Sequence, residues 1–263
     1  MDLMTKPILI LCSFMLFLPN LLNISIFPEN GYNLKEEYDP ALSYITTEAQ
    51  LNLHIDSILK NKSITNGTYQ SVVEITNVLR KRFYHGYSHF TLDENWIAAI
   101  SGKLIDSGLA CKVQPAKILQ HQNAACSQQA IVMMSLLRKR GILYRHLSFP
   151  HHYALDVMAA DKWYFFDPDM EPNMNREQRS EDGWKYHSDS LKQYYDRRRV
   201  ADPDYVFGNA LTAEKGAINE IPAYHARLFQ SITGILSKTV WCFPLLLIFL
   251  RSGKYFPFRK SVK

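Results

Sequence analysis

The chain contains no C-x-x-C pair, no H-E-x-x-H helix, no glycine-rich phosphate loop, no internal repeat and no low-complexity tract. Each absence removes a class of function. Without paired cysteines or clustered histidines there is no sequence case for a zinc site or a thioredoxin-like motif, so no metal and no cofactor are expected. Without a phosphate loop, and with no long basic run before the C-terminus, the net charge of +5 does not argue for a nucleic-acid partner. Local charges beside a membrane account for it more simply. Charged residues make up only 21% against 47% hydrophobic, which excludes a disordered chain and leaves a globular one. At 263 residues there is room for one ordinary domain and extra segments.

Cysteine is scarce. Cys12 and Cys242 lie in apolar terminal stretches, and only Cys111 and Cys126 belong to the middle of the chain. Those two offer no framework of disulfides, and a lone functional thiol fits better.

Both ends carry apolar runs. Residues 7–27 contain no charge and come close to the roughly 20 residues that span a bilayer. A cleaved signal peptide is the alternative, but no small-residue cleavage pattern follows. A second run, Ile232 to Leu250, is interrupted by Lys238 and Pro244, and a buried or interfacial helix is its alternative. Arg251, Lys254, Arg259, Lys260 and Lys263 follow without an acidic residue, which places the C-terminus in the cytoplasm. Two spans then leave residues 28–230 on the extracytoplasmic side. The N-x-[ST] sequons at Asn23, Asn61 and Asn66 are taken as chance occurrences.

Between the ends, residues 28–45 read as an extended connector. Helices are expected over Thr47–Lys60 and Tyr69–Tyr84, and from the capping box at Thr91–Glu94 through Ile105. Another is expected over Ala124–Arg140, with Asn123 as its N-cap, a basic last turn and Gly141 as its stop. Cys126 falls in its first turn, where free amides and the helix dipole stabilise a thiolate.

After Gly141 the pattern turns to strands: Ile142–Phe149, His152–Val157 and Lys162–Phe166, closed by Asp167 and Pro168. A four-residue loop over 158–161 pairs Val157 with Lys162 and sets His152 directly opposite Asp167. Cysteine, histidine and aspartate then form a nucleophile, a base and an orienting group. His152 takes the thiol proton and returns it to a leaving amine, while Asp167 fixes the tautomer. Cys126 forms a thioester that water hydrolyses or an amine accepts.

Three blocks carry a family likeness: Cys126-Ser-Gln-Gln-Ala with Leu-Leu-Arg-Lys-Arg-Gly-Ile, then His152-Tyr-Ala-Leu-Asp-Val, then Lys162-Trp-Tyr-Phe-Phe-Asp-Pro. Together, over about residues 120–170, they resemble the transglutaminase-like superfamily. The resemblance implies an α+β, papain-related fold, with helices packed on an antiparallel sheet and the nucleophile at a helix N-terminus. It implies thiol-based acyl chemistry on a protein or peptide, through Cys126, His152 and Asp167. Tyr153, Ala154, Asp156 and Ala125 depart from the family pattern without removing a reacting group.

Other roles follow less directly. The backbone N–H of Cys126 is one oxyanion donor, with Gln122 or Gln120 as the side-chain candidate. His151 is the rival base and Asp169 the rival orienting acid. His121, His146 and His187 read as ordinary polar residues. Ser190–Arg199 reads as a helix, with Tyr194 and Tyr195 packing or lining a cleft. The segments are then an anchor over 1–27, a connector and first helix over 28–68, the transglutaminase-like domain over 69–215, a connector over 216–231, a membrane helix over 232–250 and a basic tail over 251–263. The function expected is that of a membrane-anchored cysteine acyltransferase or hydrolase. The alternative is an inactive scaffold or peptide-binding module. A coenzyme A acetyltransferase fits less well, because an external domain has little access to that cofactor.

Overall fold

The computed structural model describes residues 5–28, 31–33, 36–196, 202–208 and 213–251. Lys254, Arg259, Lys260 and Lys263 of the expected tail, and the end of the helix expected over Ser190–Arg199, lie outside these residues. The chain is α+β with a four-stranded antiparallel sheet, and it divides into two compact units. One comprises residues 29–88 and 112–224, and the other residues 1–28, 89–111 and 225–263. The expected connector over 28–68 thus belongs almost wholly to the larger unit, while residues 89–111 group with the two ends.

In the larger unit, α2 (Glu48–Asn61) and α3 (Tyr69–Arg82) start at threonine caps, Thr47 and Thr68. Leu51, Ile55, Leu59, Val72, Ile75 and Leu79 form their buried faces. A single turn, α5 (Pro115–Ile118), precedes α6 (Cys126–Lys139). The apolar face of α6 is wider than an amphipathic surface helix needs: Ala130 through Met134, then Leu136 and Leu137, are all buried. Such a helix belongs at the centre of a core rather than on its surface.

The sheet order is β3-β2-β1-β4, from β1 (Tyr144–Phe149), β2 (His152–Ala159), β3 (Lys162–Phe166) and the short β4 (Glu214–Lys215). Ala159 pairs with Lys162 and Leu155 with Phe166. The β2–β3 loop therefore has two residues, not the four expected, and the register differs by two. Ala160 and Asp161 both take positive φ, 49° and 61°, the twist a two-residue hairpin needs. A shift of two residues keeps every side chain on its face. His152 and Asp167 thus remain on one side, diagonal rather than directly opposed.

Three short helices complete this unit: α7 (Glu181–Trp184), α8 (Ser188–Lys192) and α9 (Pro203–Phe207). Trp184, Leu191, Tyr195 and Phe207 form one apolar cluster with Phe149 and Phe165.

The smaller unit holds α1 (Thr5–Phe17), α4 (Leu92–Leu104), α10 (Tyr224–Thr239, assigned to this unit from His225) and α11 (Cys242–Arg251). The box at Thr91–Glu94 is half formed: Glu94 accepts from the Thr91 amide at 3.0 Å. The Thr91 hydroxyl instead donates to the carboxylates of Asp93 and Glu94. Among the described residues no single helix is long and apolar enough to cross a membrane. The run over 7–27 is helical only through Phe17, followed by a 3-10 turn over Leu18–Leu21. The run over 232–250 is split into α10 and α11, bent by 55° at the break.

Candidate active site

Cys126 is the first residue of α6, and the preceding residue that caps it is Ala125, not Asn123. Asn123 lies further back, where its amide donates to the carbonyls of Gly86 and Tyr87. The helix start is held by Gln128, which is buried and uses both ends of its amide. Oε1 accepts from the backbone N–H of Ser88 at 2.9 Å and of Ala125 at 3.3 Å. Nε2 donates to the carbonyls of Ser88 and Lys112 at 2.9 and 2.8 Å. Four hydrogen bonds from one buried side chain fix the first turn, and with it the thiol. The N–H groups of that turn have no carbonyl four residues back and point toward the space before the helix.

His152 opens β2 with its side chain 1% exposed, and Asp167 follows β3 at 0%. His152 Nε2 and Asp167 Oδ2 are 2.7 Å apart. Nδ1 is therefore the ring nitrogen left to face Cys126. Phe207 packs edge-on against the imidazole at 5.4 Å between centroids, which fixes its plane.

Asp167 is saturated with donors. The Tyr195 hydroxyl donates to Oδ2 at 2.8 Å, and the amides of Asp169 and Met170 donate to Oδ1 at 3.0 Å each. The Asp167 backbone N–H donates to Glu171, itself paired with Arg179 at 2.6 Å. Arg179 in turn donates to the carbonyls of Met174, Phe165 and Pro172.

The charges follow from these contacts. Burial opposes charge on both members of the pair. For Asp167, the His152 charge and hydrogen bond, the Met170 amide and the Tyr195 hydroxyl outweigh it and lower the carboxyl below its ordinary range. For His152, burial is outweighed by the charge and hydrogen bond of Asp167 and by Cys126, so the imidazole lies well above its usual value. A histidine that holds its proton here can act as a general acid toward a leaving group.

A second histidine reaches the same place. His85 Nδ1 lies 2.9 Å from Asp169 Oδ2, and Gln129 of α6 donates from Nε2 to Asp169 Oδ1 at 2.8 Å. The charge and hydrogen bond of Asp169 push His85 up to about 9, against the opposing effect of burial. Sγ of Cys126, a ring nitrogen of His152 and an oxygen of Asp169 all lie within 4.8 Å of one another. Thiolate, imidazole and carboxylate are donor types found in zinc sites. Both Asp169 oxygens, however, already accept the hydrogen bonds from Gln129 and His85.

A cleft of about 450 Å3 opens beside His152 and Asp169 and is lined also by His85, Arg80, His151 and Tyr205; Cys126 is buried and is not part of its lining. His151, in the turn before β2, lines the same cleft and stacks on Tyr205 at 3.9 Å between ring centroids, outside the group around the thiol. Of the two candidate bases, His152 is the one brought to the thiol. Of the two candidate acids, Asp167 holds that base, and Asp169 holds His85. Gln122 and Gln120 are exposed and do not line the cleft. His121 contacts Lys112, and His146 lies 3.6 Å from Glu220.

The pattern of residues gave no hint of His85, which sits in a loop without periodicity and meets its partner 84 positions later. Comparison with protein-family models, curated proteins and solved structures finds no match.

Proposed function

We propose that this chain is a membrane-associated cysteine acyltransferase or hydrolase of the transglutaminase-like type, acting on a protein or peptide through Cys126, His152 and Asp167. The supporting observation is that one ring meets both partners: Asp167 holds His152 by Nε2, and the same imidazole lies within 4.8 Å of the thiol at the start of α6, which leaves Nδ1 as the nitrogen for the reaction. In the proposed reaction Cys126 Sγ attacks an acyl carbon, and His152 delivers its Nδ1 proton to the departing amine. Water or a second amine, deprotonated by the same nitrogen, then resolves the thioester. The test is mass spectrometry after incubation with an electrophilic acyl ester. A single adduct on Cys126, lost in Cys126→Ala, is expected. A folded protein that forms no adduct would instead favour a scaffold that keeps the cleft only for binding.

Membrane association is supported by the inverted pattern of the smaller unit. On α10 the buried residues are Gln230, Thr233 and Ser237, while Leu228, Ile232, Ile235 and Leu236 are exposed. On α1 Ser13 is buried, while Ile8, Leu11, Phe14 and Met15 are exposed. Small polar residues at the contacts and large aliphatic ones outside suit lipid as the solvent. The polar contacts are specific: Ser13 donates to the Trp241 carbonyl, Asn95 to Thr233, and Gln230 to the Cys111 carbonyl. The basic C-terminal run then favours a cytoplasmic end and an extracytoplasmic catalytic unit. Flotation with liposomes, and reporter fusions at the C-terminus, test the two parts. Recovery in the unbound fraction would sink the first, and an external reporter the second.

A further inference from the structure

We propose that His85 is a catalytic residue whose Nε2–H donates to the oxyanion formed when Cys126 attacks an acyl carbon. The proposal rests on the acyl-transfer reading and adds to it the side-chain donor that Gln122 does not provide.

Backbone pairing brings this residue to the nucleophile. The Tyr84 N–H donates to the Gln122 carbonyl at 3.1 Å, and the Ala124 N–H donates back to the Tyr84 carbonyl at 3.0 Å. His85 therefore follows a bridge to the segment that leads directly into Cys126. Its ring is aimed by Asp169, which takes Nδ1. Asp169 is anchored by Gln129 on the nucleophile helix itself and lies within 4.8 Å of the thiol. With Nδ1 committed, Nε2 is the ring nitrogen left for a ligand. The His85 side chain is 49% exposed and forms part of the cleft wall.

The chemistry needs such a group. Attack forms the S–C bond and moves the carbonyl π pair onto oxygen. The oxyanion accepts hydrogen bonds from the Cys126 backbone N–H and from His85 Nε2–H without proton transfer. Collapse returns the pair, breaks the bond to the leaving nitrogen and transfers the His152 proton to that amine. The pairing also balances charge. A carboxylate this close to a thiolate opposes it, and the His85 imidazolium offsets the Asp169 charge.

The experiment compares two reactions of Cys126 in the full-length protein. Acylation by a p-nitrophenyl ester passes through an oxyanion, and alkylation by iodoacetamide does not. The double variant His85→Leu/Asp169→Asn removes the donor with its cation and the counter-charge together. Acylation kcat is expected to fall about 10²–10³-fold with KM nearly unchanged. Alkylation should stay within about threefold, because the thiolate's local charge balance is kept. Equal loss in both reactions, or loss in neither, overturns the assignment.

A wild-type measurement serves if the variant does not fold. Asp169, Glu36 and Cys126 face the His85 ring. Acylation should decline as pH rises through about 9 and His85 loses its proton, while alkylation does not decline. Acylation that keeps rising with alkylation through that range overturns the assignment as well. If the wild-type protein alkylates at Cys126 but never acylates, the acyl-transfer reading itself has failed. If it acylates and the double variant keeps its rate, only the role of His85 has.

Discussion

The backbone N–H of Asp169 donates to Oδ1 of Asp167 at 3.0 Å, and each of these carboxylates holds a different histidine. One tight turn around Pro168 therefore positions two imidazoles about a single thiol. Asp167 takes Nε2 of His152 and Asp169 takes Nδ1 of His85, so opposite nitrogens of the two rings are left for chemistry.

Asp167→Asn tests the orienting role. An asparagine keeps Oδ1 for the two turn amides but presents an NH2 group to His152 and Tyr195. Donor then faces donor, and the imidazole is driven to the tautomer protonated on Nδ1. That nitrogen can no longer take the thiol proton. Acylation kcat should fall about 10³-fold with a smaller change in KM, measured by stopped-flow release of the ester's leaving group. A loss under tenfold would mean that His152 needs no orienting carboxylate.

The two inner cysteines should differ in labelling. Burial pushes the Cys111 thiol up to about 12, leaving about one thiolate in 10⁴ at pH 8. Iodoacetamide should modify Cys126 at least about tenfold faster than Cys111, read by peptide mapping over time. Matched slow rates would show that Cys126 is an ordinary buried thiol.

The His152–Asp167 pair should also appear in the pH dependence of stability. His152 is raised in the folded state, so its contribution is complete below its unfolded value, about 6.5, and is lost as pH rises through the folded one. Asp167 is lowered, so its contribution is complete above about 3.9 and is lost as pH falls through its folded value. The Tm difference between wild type and His152→Gln should therefore be largest between about pH 4 and 6.5. A difference that grows from pH 6.5 to 9 contradicts this account.

Ala160→Gly should stabilise the hairpin. Alanine at a φ of 49° carries a left-handed cost of about 1–2 kcal/mol, partly offset by the greater unfolded-state freedom of glycine. A net gain of up to about 1 kcal/mol is expected in urea melts. A lowered midpoint would show that the turn favours a side chain there.

The core of the site was legible because its parts obey simple periods. The stretch before Gly141 carries a helical pattern that places Cys126 in a first turn, and two aromatic-rich runs frame His152 and Asp167. The hairpin register was less legible because alanine at position 160 carries no signal for positive φ. The shift of two left the face of His152 intact, so the pairing of residue types survived the error in spacing. Gln128 looks like a solvent-facing first-turn residue, but its partners, Ser88 and Lys112, come from distant loops. His85 was hidden for the same reason, since only folding brings that loop to the turn after β3; Asp169 was weighed as a rival to Asp167, but not as the partner of a second histidine. The connector residues Glu36 and Glu37 read as spacer, yet they line the cleft. Hydropathy located the apolar ends, and Lys238 and Pro244, which interrupt the second run, flank the break between α10 and α11.

The burial of α6 on nearly every side has a consequence for fluctuations. A helix at the centre of a core exchanges its amide hydrogens mainly through openings that approach global unfolding. The nucleophile is thus carried by one of the slowest-exchanging segments, whereas His85 rides on a loop. Partial opening of this molecule would release the loop histidine first and leave the cysteine in place.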